Sequence, residues 1–474
     1  MMFNIAKVIS DIEADSDQNI DLLKDLLKIK SISTIPDYTD QCYQAAGWLK
    51  TFLDSFGMDA MIYESEGHPI VFSEYQTSRP DAKTILFYGH YDVQPVDPIS
   101  LWDSDPFDPV VKDGRLFARG AADNKGPQMA HIAAVAQALE ENPELPLRIT
   151  FLIEGEEEIG SPSLKPFLES RIESFADVDM VLLSDTLSPT EKQIVVTVGL
   201  RGIAVLDVEV KGPNVDLHSG LHGGAVYNPV QALCEICASL HDDGNRVTID
   251  GFYEGVTDVE DWERDELARL EADDKAYKEA LGVDGLHPLE GYTPFEATRY
   301  LPTLEFNGIG GGYQGEGSKT IVPSKAMTKI SCRLVGNQDP KAIGDRVRQA
   351  ILDRVPSGVS ISVKMGHQGA PYLITPPGRP NSPSDMPDRL VHAFETTTNA
   401  IGEAFGRPPL FLREGGSIPI IADFKSILGL DSVMIGLFLP EDNLHAPNES
   451  MNLDVLNRGI EASKRILLSI ARHG

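Results

Sequence analysis

The chain has 474 residues, of which 42% are hydrophobic and 24% are charged, as is usual for a folded protein of more than one domain. Its 72 acidic residues outnumber its 41 basic residues, giving a formal net charge of −31. This charge repels nucleic-acid phosphates and anionic lipid, so the composition argues against nucleic-acid and membrane partners. The sequence lacks an apolar run of about 18 residues and an apolar signal-peptide core, so we expect a cytoplasmic location.

The first part of the chain alternates helical patterns with short apolar runs. Apolar residues recur at helical spacing over residues 19–30 and 44–57, and a further helix is predicted over residues 126–139. Continuous apolar runs, typical of buried strands, cover residues 84–88, 148–153 and 180–183. This alternation predicts an α/β fold in which helices cover both faces of a mixed sheet with much parallel pairing.

From about residue 203 the pattern becomes that of half-buried strands, with apolar and polar residues alternating over 204–212 and 320–336. The charged segment 258–282 predicts an exposed helix. After a proline-rich break, long helices return together with a buried strand at 433–437. We therefore predict that an α/β domain is interrupted by an inserted α+β domain. The predicted boundaries are 1–202 and 374–474 for the first domain and 203–373 for the insertion.

Acidic residues and histidines recur where the predicted buried strands end. They are His90 and Asp92 after the first run, Asp123 before the helix, Glu157 and Glu158 after the second run, Asp185 after the third, and His445 after the last. Ligands in open α/β sheets gather beyond the carboxyl ends of the strands. Two histidines together with three of these carboxylates, and no thiolate, suit zinc, manganese or cobalt.

Five such ligands exceed the needs of a single zinc ion. If one carboxylate bridges, they can hold two metal ions about 3.5–4 Å apart, which polarise a carbonyl and activate a bridging water. Such a site also needs a base. The adjacent residues Glu157 and Glu158 provide one group for the metal and one for the proton.

Eight motifs, spread in order along almost the whole chain, resemble those of a known protein family. They are GHYDVQP, GAADNKGP, EGEEEIGSPSL, LLSDT, DLHSGLHGG, TIVPSKAMTKISCRLV, REGGSIP and LHAPNE. Together they resemble the zinc-dependent exopeptidase family of carnosinase, cytosolic non-specific dipeptidase, succinyl-diaminopimelate desuccinylase and glutamate carboxypeptidase. Within that family the pattern is most similar to the carnosinase-like dipeptidases.

The resemblance implies a role for each residue of the metal cluster. Asp123 would bridge two divalent ions, with His90 and Asp185 completing one site and Glu158 and His445 the other. Glu157 would be the general base that deprotonates the bridging water and then protonates the leaving amine. Asp92 would orient His90. The family also implies a cis peptide between Asp123 and Asn124.

The resemblance further implies that the inserted domain is a lid and the surface of a homodimer. His218 would stabilise the developing oxyanion, often from the partner subunit, and Thr320 would reach over the substrate similarly. Arg333 would clamp the substrate carboxylate. Glu414 and Ser417 would hold the amino end and backbone of a small peptide substrate.

The sequence thus predicts a two-metal metallopeptidase, most simply with zinc, that hydrolyses dipeptides or short peptides from one end. Manganese or cobalt could replace zinc. An N-acyl-amino-acid deacylase or a carboxypeptidase of the same family is the alternative. A more remote alternative is a non-catalytic, metal-dependent binding protein. A missing metal ligand or a missing base in the sequence would indicate it.

Overall fold

The computed structural model describes residues 18–270 and 274–473. In chain order, helices α1 to α13 cover residues 18–27, Thr39–Ser55, Lys125–Glu141, Leu164–Ser170, Ser219–His222, Pro229–Ser239, Asp261–Ala268, Asp274–Leu281, Pro294–Tyr300, Pro340–Asp353, Asp388–Phe405, Pro419–Asp423 and Leu453–His473. Short 3-10 turns lie at Pro36–Tyr38, Ile99–Leu101, Glu157–Ile159, Ile172–Phe175 and Pro440–Asp442, and a π-helical turn lies at Phe424–Leu428.

Strands β1 to β18 cover Asp59–Tyr63, Ile70–Tyr75, Lys83–His90, Val110–Lys112, Arg115–Phe117, Leu147–Glu154, Met180–Leu187, Val195–Leu200, Gly202–Lys211, Leu217–His218, Thr303–Gly311, Ile321–Val322, Lys325–Leu334, Ser360–Gly369, Tyr372–Leu373, Leu410–Glu414, Ser432–Phe438 and Ser450–Asn452. Among the described helices, none has the length and hydropathy needed to cross a bilayer.

A nine-stranded mixed sheet forms the larger layer, in the order β1-β2-β6-β3-β7-β17-β8-β15 with β16 paired to β8. Its central strands β6, β3, β7 and β17 run parallel to one another. In β3 and β17 nearly every residue is buried, so both faces of the sheet are covered. The predicted fold class is confirmed. Because parallel strands end at the same edge, the residues that follow β3, β6 and β17 are brought together there.

One strand extends further than its apolar run suggested. The sequence placed Asp185 after a strand ending near residue 183, whereas β7 continues through Asp185 to Leu187. The strand continues because Gly436 and Phe438 of β17 still pair with Thr186 and Leu187. Asp185 therefore projects from a hydrogen-bonded strand rather than from a loop.

The second sheet is antiparallel, in the order β11-β13-β9-β14, and lies wholly within residues 202–369. Burial alternates along β9 and β13, as the sequence predicts, and α6 and α10 pack against this sheet. A two-stranded ribbon of β10 and β12 accompanies it. The chain is back in the large sheet at β15. The domain boundaries remain a prediction, which this change of sheet supports.

The expectation that segment 258–282 is an exposed helix is wrong for α7. Trp262, Glu263 and Glu266 are buried there, because α7 packs against β16 of the large sheet. Glu263 accepts hydrogen bonds from the Nε and Nη2 atoms of Arg413, at 2.8 and 2.9 Å. Part of the acidic composition is therefore used in buried ion pairs. Residues 271–273 of the predicted helix lie outside the described residues.

Candidate active site

Two groups of potential metal ligands share Asp123 at the carboxyl edge of the large sheet. One group is His90, Asp123 and Asp185, and the other is Asp123, Glu158 and His445; within each, one ligand atom per residue lies within 4.8 Å of the others. Asp123 Oδ1 is 3.2 Å from His90 Nε2, and Asp123 Oδ2 is 2.9 Å from His445 Nε2. The two oxygens of one carboxylate thus face different histidines, as a bridging ligand requires.

Solvent reaches this cluster from one side. The His90 side chain is fully buried, whereas that of His445 is 55% exposed. The carboxylates of Glu158 and Asp185 are 3% and 7% exposed. His445 therefore lies at the mouth of the cluster and His90 at its base.

Asp92 connects the buried histidine to the loop that follows β6. Its backbone carbonyl is hydrogen-bonded to His90 Nδ1 at 3.2 Å and its Oδ1 atom lies 3.3 Å from the same nitrogen, so Asp92 can set the orientation of the ring. Asp92 also accepts hydrogen bonds from Ser33 Oγ at 2.7 Å and from the backbone N–H groups of Glu157 and Glu158 at 3.2 and 3.1 Å. A single buried carboxylate thus aligns His90 with both adjacent glutamates.

A second buried carboxylate, Glu449, holds the loop that carries Asp123. It accepts hydrogen bonds from Arg119 Nη1 at 2.6 Å and from the backbone N–H groups of Gly120, Ala122 and Asp123, each at 3.0 Å. Glu449 is the last residue of the LHAPNE motif, but no role was predicted for it. Its hydrogen-bond donors lie more than 300 residues earlier in the chain, so the motif alone could not reveal this role.

Two amides also position ligands and were not singled out by the sequence analysis. Gln94 Nε2 donates to Glu158 Oε2 at 2.7 Å. Asn124 Nδ2 donates to the Ser184 carbonyl at 2.7 Å and to Asp185 Oδ1 at 2.8 Å. The expected cis peptide between Asp123 and Asn124 is present.

Burial and, after it, repulsion between neighbouring carboxylates raise the pKa values of most acidic groups in the cluster. Burial, followed by the Asp123 charge, raises the pKa of Glu158 to about 10. Burial and then neighbouring carboxylates, although opposed by His90, also raise the pKa of Glu157 well above its ordinary value. Burial opposes ionisation of Asp123 too, but the hydrogen bond from His445 and the nearby imidazole of His90 prevail and lower its pKa. A nearby positive charge would favour the ionised form of all three carboxylates.

The donor set fits divalent cations. Within the described part of the chain, the buried atoms His90 Nε2 and Glu158 Oε1 have no hydrogen-bond partner. Each belongs to one of the two ligand groups. Imidazole nitrogen and carboxylate oxygen are ligands that zinc, manganese and cobalt accept.

Arg333, Glu414 and Ser417, three of the residues expected to bind substrate, lie close together around the REGGSIP loop. Arg333 Nη1 donates to Ser417 Oγ at 2.9 Å, and the Ser417 hydroxyl donates to the Arg201 carbonyl. Arg201 Nε donates to the carbonyl of Gly415, which follows Glu414. Burial, then the charges of Arg333 and Arg299, lower the pKa of Arg201 to about 10. Arg201 and Arg299 had no sequence signal of a site role.

His218 ends β10, and Thr320 immediately precedes β12, so the two residues lie together on the β10–β12 ribbon. The backbone N–H of Ser219 donates to the Thr320 carbonyl at 3.0 Å, and His218 pairs with Ile321. Both residues are exposed. Among the described residues, neither is hydrogen-bonded to a potential metal ligand. The described contacts of these two residues are therefore with each other's segments of the ribbon.

Known proteins share this sequence and architecture. Peptidase family M20/M25/M40 matches residues 86–469. Cys-Gly metallodipeptidase dug1 of Schizosaccharomyces pombe is 29% identical over 97% of this chain and 97% of its own length. The crystal structure of human carnosine dipeptidase 1 has a TM-score of 0.83 at 28% identity and covers 99% of each chain. The M20 family metallo-carboxypeptidase Sso-CP2 of Sulfolobus solfataricus has a TM-score of 0.83 at 30% identity, over 96% of this chain and 99% of its own.

The chain belongs to peptidase family M20/M25/M40. This membership confirms the family and the enzyme class predicted from the sequence, a metal-dependent hydrolase of peptides.

Glu449→Gln should weaken metal binding, because the amide can no longer accept all four hydrogen bonds that hold the Asp123 loop. We expect the zinc affinity to fall by about 10- to 100-fold, the usual effect of removing a residue that orients metal ligands. Isothermal titration of the metal-free protein with zinc measures this. Glu441→Gln is the control, because this carboxylate is 58% exposed and close in sequence. Equal zinc affinity in both variants would contradict the role given to Glu449.

Proposed function

We propose that the protein is a two-metal dipeptidase that hydrolyses dipeptides and short peptides with a free amino end. The observation that carries this proposal is the carboxylate of Asp123, whose two oxygens face two separate groups of ligands beside the half-buried Glu157. The dipeptidase names of the relatives, such as dug1 and carnosine dipeptidase 1, agree with it. The cytoplasmic location stays a prediction.

Five residues would hold the metal ions, and zinc is the metal we propose, with manganese or cobalt as alternatives. Asp123 would bridge, His90 and Asp185 would complete one site, and Glu158 and His445 the other. When bound, such ions polarise the scissile carbonyl and lower the pKa of a water molecule. Asp92, Gln94 and Asn124 would keep the ligands in position through the hydrogen bonds described above.

Glu157 would be the general base and acid. Its backbone N–H is held by Asp92, and burial followed by the nearby carboxylates raises its pKa, so the group holds a proton readily. It would take a proton from the attacking water and return it to the nitrogen of the leaving amine. A positioned acid–base group of this kind contributes about 10²- to 10⁴-fold in rate.

Substrate would be held at both ends. Arg333, whose guanidinium donates to Ser417, would bind the carboxylate of the peptide. Glu414, at the end of β16 next to Arg201, would bind the free ammonium group. Both ends of a short peptide are charged, so this pair of groups favours dipeptides over N-acylated amino acids.

A comparison of L-Ala-L-Ala with N-acetyl-L-Ala-L-Ala tests the proposed function. We expect kcat/KM to be higher for the free amine by at least about tenfold, because the acetyl group removes the charge that Glu414 would bind. Glu414→Gln should narrow this ratio. The similarity to Sso-CP2 makes a carboxypeptidase the second candidate. A preference for the acetylated substrate would favour a carboxypeptidase or deacylase and overturn the dipeptidase assignment.

Glu157→Gln should keep its metal and lose turnover, since the amide cannot carry the proton. We expect two zinc ions per chain by elemental analysis of both wild type and variant, and a kcat lower by about 10²- to 10⁴-fold. Glu173→Gln, in another 3-10 turn and exposed, is the control and should retain both. An active Glu157→Gln enzyme would rule out this residue as the base, and a different metal in the purified protein would rule out zinc.

We also propose a homodimer in which the inserted domain supplies His218 and Thr320 to the partner's site. These two residues are exposed and adjacent, and the apolar side chains of Val215 and Leu221 beside them are 63% and 76% exposed. Apolar surface left open next to polar site residues is typical of an interface. A symmetric dimer would place one copy of the ribbon near each cluster.

Hybrid dimers test this arrangement. His218→Asn and Glu157→Gln should each be inactive alone. In a co-expressed mixture about half of the dimers are hybrids. In each hybrid, the site with an intact Glu157 receives an intact His218 from the other chain, so one site of two is complete. Activity should therefore return to about one quarter of wild type. Light scattering should show a dimer throughout. An active monomer, or hybrid dimers without activity, would show that His218 does not act between subunits.

A further inference from the structure

A cavity of ≈ 440 Å³ lies between the second sheet and the segments around α8 and α9. Arg201, Arg333 and Glu305 line it on one side, and Tyr277, Leu281 and Leu289 line it on another. The potential metal ligands are not among its lining residues. We propose that this cavity receives the side chain of the C-terminal residue of the substrate and selects bulky apolar or aromatic side chains. This inference rests on the proposed dipeptidase function.

Arg333 joins the cavity to the site described above. On one side its guanidinium donates to Ser417 of the REGGSIP loop, at 2.9 Å, and on the other it forms part of the cavity wall. If Arg333 holds the terminal carboxylate, the side chain of that same residue is one carbon away from the carboxylate. It therefore enters the adjoining space rather than the metal cluster.

The charges of the wall leave room for one carboxylate only. The lining residues include two guanidinium groups, Arg201 and Arg333, and one carboxylate, Glu305, so the wall carries one net positive charge with histidine counted as neutral. The terminal carboxylate of a peptide neutralises that charge. A second carboxylate, as in a C-terminal Asp or Glu, would have no counter-charge, and a basic side chain would be repelled by the two guanidinium groups.

The remaining wall is apolar and open to a ligand. The side chains of Tyr277 and Leu281 are 43% and 52% exposed, although they line a concave space. Val247, Tyr253 and Leu286 extend this apolar wall. An apolar or aromatic side chain would cover these groups and remove apolar surface from water, which favours binding. A C-terminal glycine would leave the space empty.

Kinetics on L-Ala-L-Phe, L-Ala-L-Leu and L-Ala-Gly, with wild type and a cavity-filling variant, test the proposal. The wild type should show kcat/KM at least about tenfold higher for Ala-Phe and Ala-Leu than for Ala-Gly, the discrimination that an apolar pocket provides. Ser331→Trp introduces an indole into the cavity from the strand that carries Arg333. It should lower kcat/KM for Ala-Phe by about tenfold and leave Ala-Gly within about twofold.

Gln349→Trp is the matched control, an exposed position on α10 that should leave the substrate preference unchanged. Thermal unfolding establishes that each variant is folded, and Asn307→Trp, from the same cavity wall, replaces Ser331→Trp if that variant does not fold. If Ala-Gly is cleaved as well as Ala-Phe, or if the tryptophan variants lower both equally, the cavity does not select the side chain while the dipeptidase function stands. If none of the three dipeptides is cleaved, the proposed function fails and the inference fails with it.

Discussion

The structure of the site depends on holding like charges together in a space with little water. Asp123, Glu158 and Asp185 project toward one another at the edge of the large sheet, with Glu157 beside them. Unpaired carboxylates in such a place cost several kcal/mol each, and they ionise only if positive charge lies among them. The two imidazoles alone do not balance them. A pair of divalent ions would balance them, which supports the proposed metal centre.

The surrounding hydrogen bonds serve to keep that centre rigid. Asp92 aligns His90 with the turn that carries Glu157, and Glu449 ties the Asp123 loop through its backbone N–H groups and Arg119. Neither carboxylate belongs to the two ligand groups. Together they bind segments that are far apart in the chain. The geometry of the two ligand groups is thus set by buried acids that each accept several hydrogen bonds.

The segment between β9 and β14 is joined to the large sheet by a buried ion pair. Its helix α7 is fastened to β16 by the paired Glu263 and Arg413, next to the strand end that carries Glu414. A bidentate arginine–carboxylate pair of this kind has the geometry that best offsets the cost of burying two charges. The segments following α7 then form the wall of the cavity beside Arg333. In this way the large sheet and the insertion both shape the space next to the proposed carboxylate clamp.

The sequence alone determined the α/β class, the buried strands and the candidates for the metal cluster. Apolar runs define buried strands whatever surrounds them, and parallel strands end at one edge, so residues such as His90 and His445 could be assigned to a common site. The family motifs added Arg333 and Ser417. Burial of Glu263 could not be read from its charged helix, because its partner Arg413 is distant in the chain.

The roles of Glu449 and Arg201, and the cavity beside Arg333, were likewise decided only by the tertiary structure. The physical reason is the same in each case. A strand pattern is local, being set by the alternation and length of apolar residues, whereas a buried charge is defined by donors and acceptors that arrive from other elements. Local pattern therefore identified which residues could do chemistry, and packing between distant segments decided how those residues are held and what space lies beside them.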